Sequence, residues 1–141
     1  MVDETILALM IEDHKRIIKL IDEIEKKGRF DIDLFSKFKS NMEKHIFTEE
    51  KAIFTSYSVI NQDYEESQAF EQLTKEHNVI LGLIDRILKD ELPTGNISFN
   101  KLKKLLNKHR SFEEEKIYPK LDKNLSHKDK NEIKRKIKDM N

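Results

Sequence analysis

Apolar residues recur at steps of three and four along four long stretches of the chain, the spacing that gives a helix one buried stripe. In the first, Ile6, Leu7, Met10, Ile17, Ile18, Ile21 and Ile24 predict a helix that starts after a cap at Asp3 or Thr5 and runs to about Lys27, where Gly28 ends it. The second runs from about Asp33 to Tyr57, with Leu34, Phe38, Met42, Ala52 and Ile53 inside and Phe35, Ile46 and Phe47 on the flank. Ser58 to Asp63 reads as the connection to a third, about Glu66 to Leu92, built on Phe70, Leu73, Ile80, Leu81, Ile84 and Leu88, with Gly82 allowing a close helix contact. After the turn at Pro93, Gly95 and Asn96, Ser98 caps a fourth helix with Leu102, Leu105, Leu106, Phe112 and Ile117 inward, which Pro119 ends or kinks near Tyr118. From about Ser126 to Met140 only Ile133, Ile137 and Met140 are apolar, enough for a short helix laid on the outside of a bundle.

Polar residues interrupt these stripes in a repeated way. His14 lies on the inner line of the first helix, His45 and Glu49 on the second, His77 on the third, and His109 and Glu113 on the fourth. Each His-x-x-x-Glu pair shares one helix face. The segment EDHKRIIKLIDEI around His14 matches KEHNVILGLIDRI around His77 at an offset of 63, and the His-x-x-x-Glu pairs follow at an offset of 64. The expected fold is therefore all-α: an up-down four-helix bundle of two quasi-repeated helical hairpins, about 4–120, with the short C-terminal helix at about 126–140, all in one domain spanning 1–141.

Composition narrows the chemistry. The chain has 27 basic and 27 acidic residues, so no global charge calls for a nucleic acid or an anionic membrane. Only 3 Gly and 2 Pro among 141 residues suit long helices. Without Cys there is no disulfide, thiolate nucleophile or cysteine-held iron–sulfur cluster. Neither an export signal nor a membrane-spanning run is evident, and a soluble cytoplasmic protein is the expectation.

A single His beside an apolar stripe is usually a satisfied structural residue. Four of them with two inward Glu, repeated, point instead to metal, because a buried carboxylate needs a proton, a cation or hydrogen-bond donors. The economical assignment is two non-haem iron ions: Glu49 and Glu113 bridge them, His14 with His45 holds one, and His77 with His109 holds the other. That leaves room for an oxo or hydroxo bridge and for an exogenous ligand. Glu50 and Glu114 sit about 100° around the helix from the pair before them, as solvated groups or as partners of a ligand imidazole, solvation being the simpler reading. Glu115, Tyr57, Tyr64 and Tyr118 read as surface or packing residues, and His127 as part of the polar tail. Leu73, Leu81, Leu105, Leu106 and Phe112 are expected to wall the open side of the metals.

HRSFEEEKIYP, with HIFTEEKAIF repeating its core, resembles the hemerythrin-like proteins, in particular the HHE cation-binding branch, over His14 to Leu121. The resemblance implies a four-helix bundle around a non-haem di-iron centre, with Glu49 and Glu113 bridging and the four His terminal; some members bind dioxygen reversibly at one iron. The oxygen carriers among them place another His one turn before the third-helix ligand and an Asp at the second bridge, where this chain has Leu73 and Glu113. The leading expectation is a protein that binds dioxygen or another small diatomic ligand, in oxygen or iron binding, storage or sensing. A reductase or scavenger of peroxide, dioxygen or nitric oxide, served by an electron donor, is the alternative. A structural or iron-storage bundle is the third, and the oligomeric state stays open.

Overall fold

A computed structural model describes residues 4–60 and 64–140. The chain is all helical within that range. Helix α1 (Ile6–Lys27) starts where the Thr5 hydroxyl accepts from Ala8 N at 3.0 Å, and both carboxylate oxygens of Asp122 accept from Ile6 N and Leu7 N at 2.9 and 3.1 Å. Four donors without intrahelical partners open any helix, so these contacts tie Ile6 and Leu7 to a residue 116 and 115 positions later in the chain. Gly28, at φ +70°, closes α1 in the left-handed conformation that favours glycine. Helix α2 (Ile32–Thr48) is capped by Asp31, which accepts from Leu34 N at 3.0 Å.

The second rod does not stay α-helical. From Glu49 to Phe54 it widens into a π-helical turn, then continues as α3 (Thr55–Ile60). Helix α4 (Tyr64–Asp90) returns antiparallel to the fourth rod, which begins as α5 (Ile97–Phe112), passes through a second π-helical turn at Glu113–Ile117 and continues as α6 (Tyr118–Asn124). Helix α7 (His127–Met140) packs against α1, α2 and the first π turn.

Two hairpins, α1 with the second rod and α4 with the fourth, thus form the bundle expected from the repeat, with the C-terminal helix outside it. Several boundaries differ. Asn96, not Ser98, caps α5, accepting from Ser98 N at 2.9 Å, while Ser98 is buried. Ser58 to Ile60 is helix rather than connection, and the remaining connection residues, like the alternative cap Asp3, lie outside the described residues. Pro119 does not end the rod, which continues through it as α6 to Asn124. Gly82 is no close-contact site, since a Cβ there would meet nothing within 4 Å.

The core falls into two apolar sections. One gathers Met10, Phe54, Phe70, Leu73 and Tyr118 with Ile133 and Ile137 of α7; the other gathers Ile17, Ile21, Phe38, Met42, Ile80 and Ile84. Complete burial of an Ile contributes about 1.5–3 kcal/mol, so Ile133 and Ile137 account for the docking of an otherwise lysine-rich helix. Leu20, Ile87 and Phe99 join the core although their positions were not singled out by the stripes, whereas Phe47 and Phe112 face solvent, 54% and 39% exposed. Between the two apolar sections lies a polar layer.

Candidate metal centre

Helical spacing sets that layer. His14 is one turn from Met10 and Ile17 on the buried face of α1, and His77 stands likewise between Leu73 and Ile80 on α4. His45 and His109 lie in the last turns of α2 and α5, and Glu49 and Glu113, neither with any exposed surface, begin the π turns. All six inward residues anticipated from the sequence meet. One group comprises His14, His45, Glu49 and Glu113, the other His77, His109 and the same two glutamates, with ligand atoms in each group within 4.8 Å of one another. His127 belongs to neither.

The imidazoles turn their Nε2 atoms inward. His14 Nε2 lies 3.3 Å from Glu113 Oε1, His109 Nε2 3.4 Å from Glu113 Oε2, and His77 Nε2 3.6 Å from Glu49 Oε1, which His45 Nε2 also contacts closely. Ring centroids are 4.8 Å apart both in the His14–His45 pair and in the His77–His109 pair, an observation that makes the two halves near copies.

Every Nδ1 meets a carboxylate. His14 pairs with Glu114 at 2.7 Å, His45 with Asp13 at 2.5 Å, His77 with Glu50 at 2.8 Å and His109 with Glu76 at 2.9 Å. An Nδ1–H donated outward leaves the Nε2 lone pair free to coordinate and fixes the ring plane. The pairing also has a topology: Asp13 and Glu76 act within their own hairpins, while Glu50 and Glu114 reach across to the other one. Solvation was the simpler reading of Glu50 and Glu114, and packing of the hairpins overturns it; Glu115 is exposed as expected. Asp13 and Glu76 escaped the sequence reading, although the repeat aligns them as the acids immediately before His14 and His77.

Electrostatics follow from burial and these partners. Burial works against a charged His45, yet Glu49 and Asp13 outweigh it and raise its pKa to about 10. His77 is raised as well, burial being overcome by Glu49 and Glu50. Burial lowers His14 and His109, with the adjacent imidazolium of each pair adding to the effect. Burial pushes Glu49 upward, but His45 and His77 hold it well below the usual carboxylate range. The protonated His45 ring therefore supplies positive charge that a cation would otherwise bring.

The donor set fits a pair of first-row metal ions. His14 Nε2 and all four oxygens of Glu49 and Glu113 are buried without a well-formed hydrogen bond among the described residues, a costly arrangement that coordination would relieve. Each position has two imidazole nitrogens and access to both carboxylates.

The π turns carry two aromatic rings into the layer. Hydrogen bonding from residue i+5 closes each turn, Tyr118 N–H donating to the Glu113 carbonyl and Thr55 N–H to that of Glu50. Phe54, five residues after Glu49, stacks 6.2 Å from the His77 ring; Tyr118, five after Glu113, is 6.0 Å from that of His14. Tyr118 is fully buried and its hydroxyl has no well-formed hydrogen bond among the described residues. Burial and the charge of Glu49 push that hydroxyl's pKa far up.

A cavity of about 30 Å³ touches all four imidazoles and is bounded by Ile17, Ile18, Ile21, Met42, Leu106, Asn107 and Arg110. It exceeds the space one water needs and suits a ligand of a few atoms. Of the five residues expected to wall it only Leu106 does so. Leu73 belongs to the opposite core section, Leu81 and Leu105 are partly buried beside the cavity-side core, and Phe112 points outward.

A helical bundle whose hairpins share a twinned His/Glu site between them defines the class. The chain belongs to the hemerythrin HHE cation-binding domain family, whose model matches residues 5–121. No curated protein and no solved structure matches it.

Proposed function

We propose that this chain is a non-haem di-iron protein that binds dioxygen or a related small diatomic ligand, in oxygen or iron binding, storage or sensing. The observation that carries the reading is the sharing of Glu49 and Glu113 by both ligand clusters, which suits two ions bridged by carboxylates rather than two independent sites. His14 and His45 would complete one position, His77 and His109 the other. Iron held there would supply redox change and open coordination positions.

The chain's own residues do the rest. Asp13, Glu50, Glu76 and Glu114 keep each Nδ1 proton in place, so Nε2 would be the coordinating atom. Metal uptake would have to displace the proton of His45, whose pKa is raised to about 10, and would therefore depend on pH. Ile17, Ile21, Met42 and Leu106 restrict water beside the site. No helix among the described residues is long and apolar enough to cross a membrane, and the expectation of a cytoplasmic protein is carried forward as part of this proposal.

Metal content and optical absorption of anaerobically purified protein, before and after a dioxygen pulse, test the reading. Two irons per chain with a reversible oxygen-dependent band support binding. Irreversible oxidation with sustained turnover on a supplied reductant moves the protein to the reductase class. Absence of a coupled metal pair overturns the proposal.

A further inference from the structure

The cavity beside the imidazoles is apolar on its α1 side and polar at α5, where Asn107 and Arg110 border it. One guanidinium nitrogen of Arg110, Nη1, lies 3.5 Å from Glu114 Oε2, the oxygen that also receives the His14 Nδ1 proton. The side chain is 33% exposed at its outer end, but its Nε is buried and has no hydrogen-bond partner among the described residues. Burial of an unused N–H on a permanent cation is costly, and a ligand that accepts from it removes the cost. The internal repeat sharpens the point: at an offset of 64, Arg110 corresponds to Ile46, which is buried in the apolar core between the hairpins. A position that serves packing in one hairpin therefore carries a cation beside the cavity in the other.

We propose that Arg110 is a specificity-determining residue that donates its Nε–H to a small anion seated in this cavity, so that binding of a monovalent anion of two or three heavy atoms depends on the guanidinium whereas binding of a neutral diatomic ligand does not. This rests on the di-metal reading, the anion's other end being held at the metal pair. Glu114 fixes the guanidinium from the opposite edge and leaves Nε for the ligand.

Azide is the probe. Iron-loaded wild type, Arg110→Gln and Arg110→Lys are compared by metal content, by azide titration of the ferric protein followed optically, and by nitric oxide affinity of the ferrous protein. Arg110→Gln is expected to retain two irons and lose azide affinity by about tenfold to a hundredfold, the effect of one charge-assisted hydrogen bond, while nitric oxide affinity stays within about threefold. Arg110→Lys, which keeps the charge, lies between. Unchanged azide affinity in Arg110→Gln overturns the role of Arg110, and so does an equal fall for azide and nitric oxide. If both variants lose iron, Arg110 acts on the metals through Glu114 and His14, and the proposal fails. Wild type without paired iron would instead remove the di-metal reading beneath it.

Discussion

In the first hairpin Asp13, His14, His45, Glu49 and Glu50 occupy the positions that Glu76, His77, His109, Glu113 and Glu114 hold in the second. Their contacts repeat too, down to the crossing of Glu50 and Glu114 between hairpins. Farther out the correspondence breaks: Tyr118 stands at the position equivalent to Phe54, Arg110 at that equivalent to Ile46, and α7 covers the first π turn. Each half of a twinned site needs the same inner donors and the same acceptors for Nδ1, whereas the surrounding layer only has to fill space. Divergence there makes two chemically similar positions unequal without dismantling either.

The largest effect should come from the shared carboxylates. Glu49→Ala and Glu113→Ala are each expected to abolish two-metal occupancy, because each residue belongs to both clusters. Metal analysis after iron loading decides it; two irons retained in either variant would sink the bridging assignment. One ion retained in one variant alone would show that the hairpins are less equivalent than their geometry.

Next in size are the acceptors at Nδ1. Ala substitution of Asp13, Glu50, Glu76 or Glu114 should weaken metal affinity by roughly tenfold to a hundredfold, as expected when a ligand imidazole loses its orienting partner. Competition with a chelator measures this. Equal losses for Glu50→Ala and Glu114→Ala would uphold the crossed pairing, and no loss in either would return them to the solvated surface.

These four residues mark where the sequence stops being informative. The inner six are legible because a period of 3.6 places them on the same line as Met10, Ile17, Leu73 and Ile80, and because the repeat presents them twice. A residue one position off that line, such as Glu50 or Asp13, lies at the edge of the buried face. Whether water or a neighbouring helix meets it is decided by packing between rods. The π turns are hidden for a related reason: their extra residue changes which side chains follow Glu49 and Glu113 onto the inner face. An α-helical pattern therefore gives no reason to seat Tyr118 beside His14. Arg110, next to a ligand in a charged stretch, had no apolar signal to mark it as a cavity residue.

Protonation should separate the halves in the metal-free protein. His45, raised to about 10 from 6.5, contributes stability that is fully present below 6.5 and lost as pH rises through about 10. Its counterpart His109 is lowered, so its contribution is present above 6.5 and lost as pH falls. Denaturant unfolding across pH should accordingly show His45→Gln losing the wild type's neutral-pH advantage over alkaline pH, with His109→Gln changing the acid side instead. Identical profiles for the two variants would erase this asymmetry.

A smaller effect is expected at the paired rings. Tyr118→Phe makes the second hairpin match Phe54 and removes a buried hydroxyl without a well-formed hydrogen bond, so folding stability should rise or fall by no more than about 1 kcal/mol with metal occupancy intact. The ferric centre of that variant should give two more nearly equal Mössbauer doublets. A loss of several kcal/mol would instead assign the hydroxyl a strong partner at Glu49.

The smallest effect lies outside the site and still uses the repeat. Gly82 of α4 corresponds at an offset of 63 to Lys19 of α1, so the first hairpin holds a good helix former where the second holds the residue least suited to a helix interior after proline. Gly82 is exposed, and an added Cβ meets nothing within 4 Å, so no packing opposes a change. Gly82→Ala should therefore stabilise the protein by about 0.5–1 kcal/mol, chiefly by reducing the freedom of the unfolded chain, with iron affinity unchanged. Thermal unfolding of the metal-free protein measures the gain free of ligand linkage. Destabilisation there would mean that α4 uses the missing side chain for a contact, and that the two first helices of the hairpins differ in packing as well as in propensity.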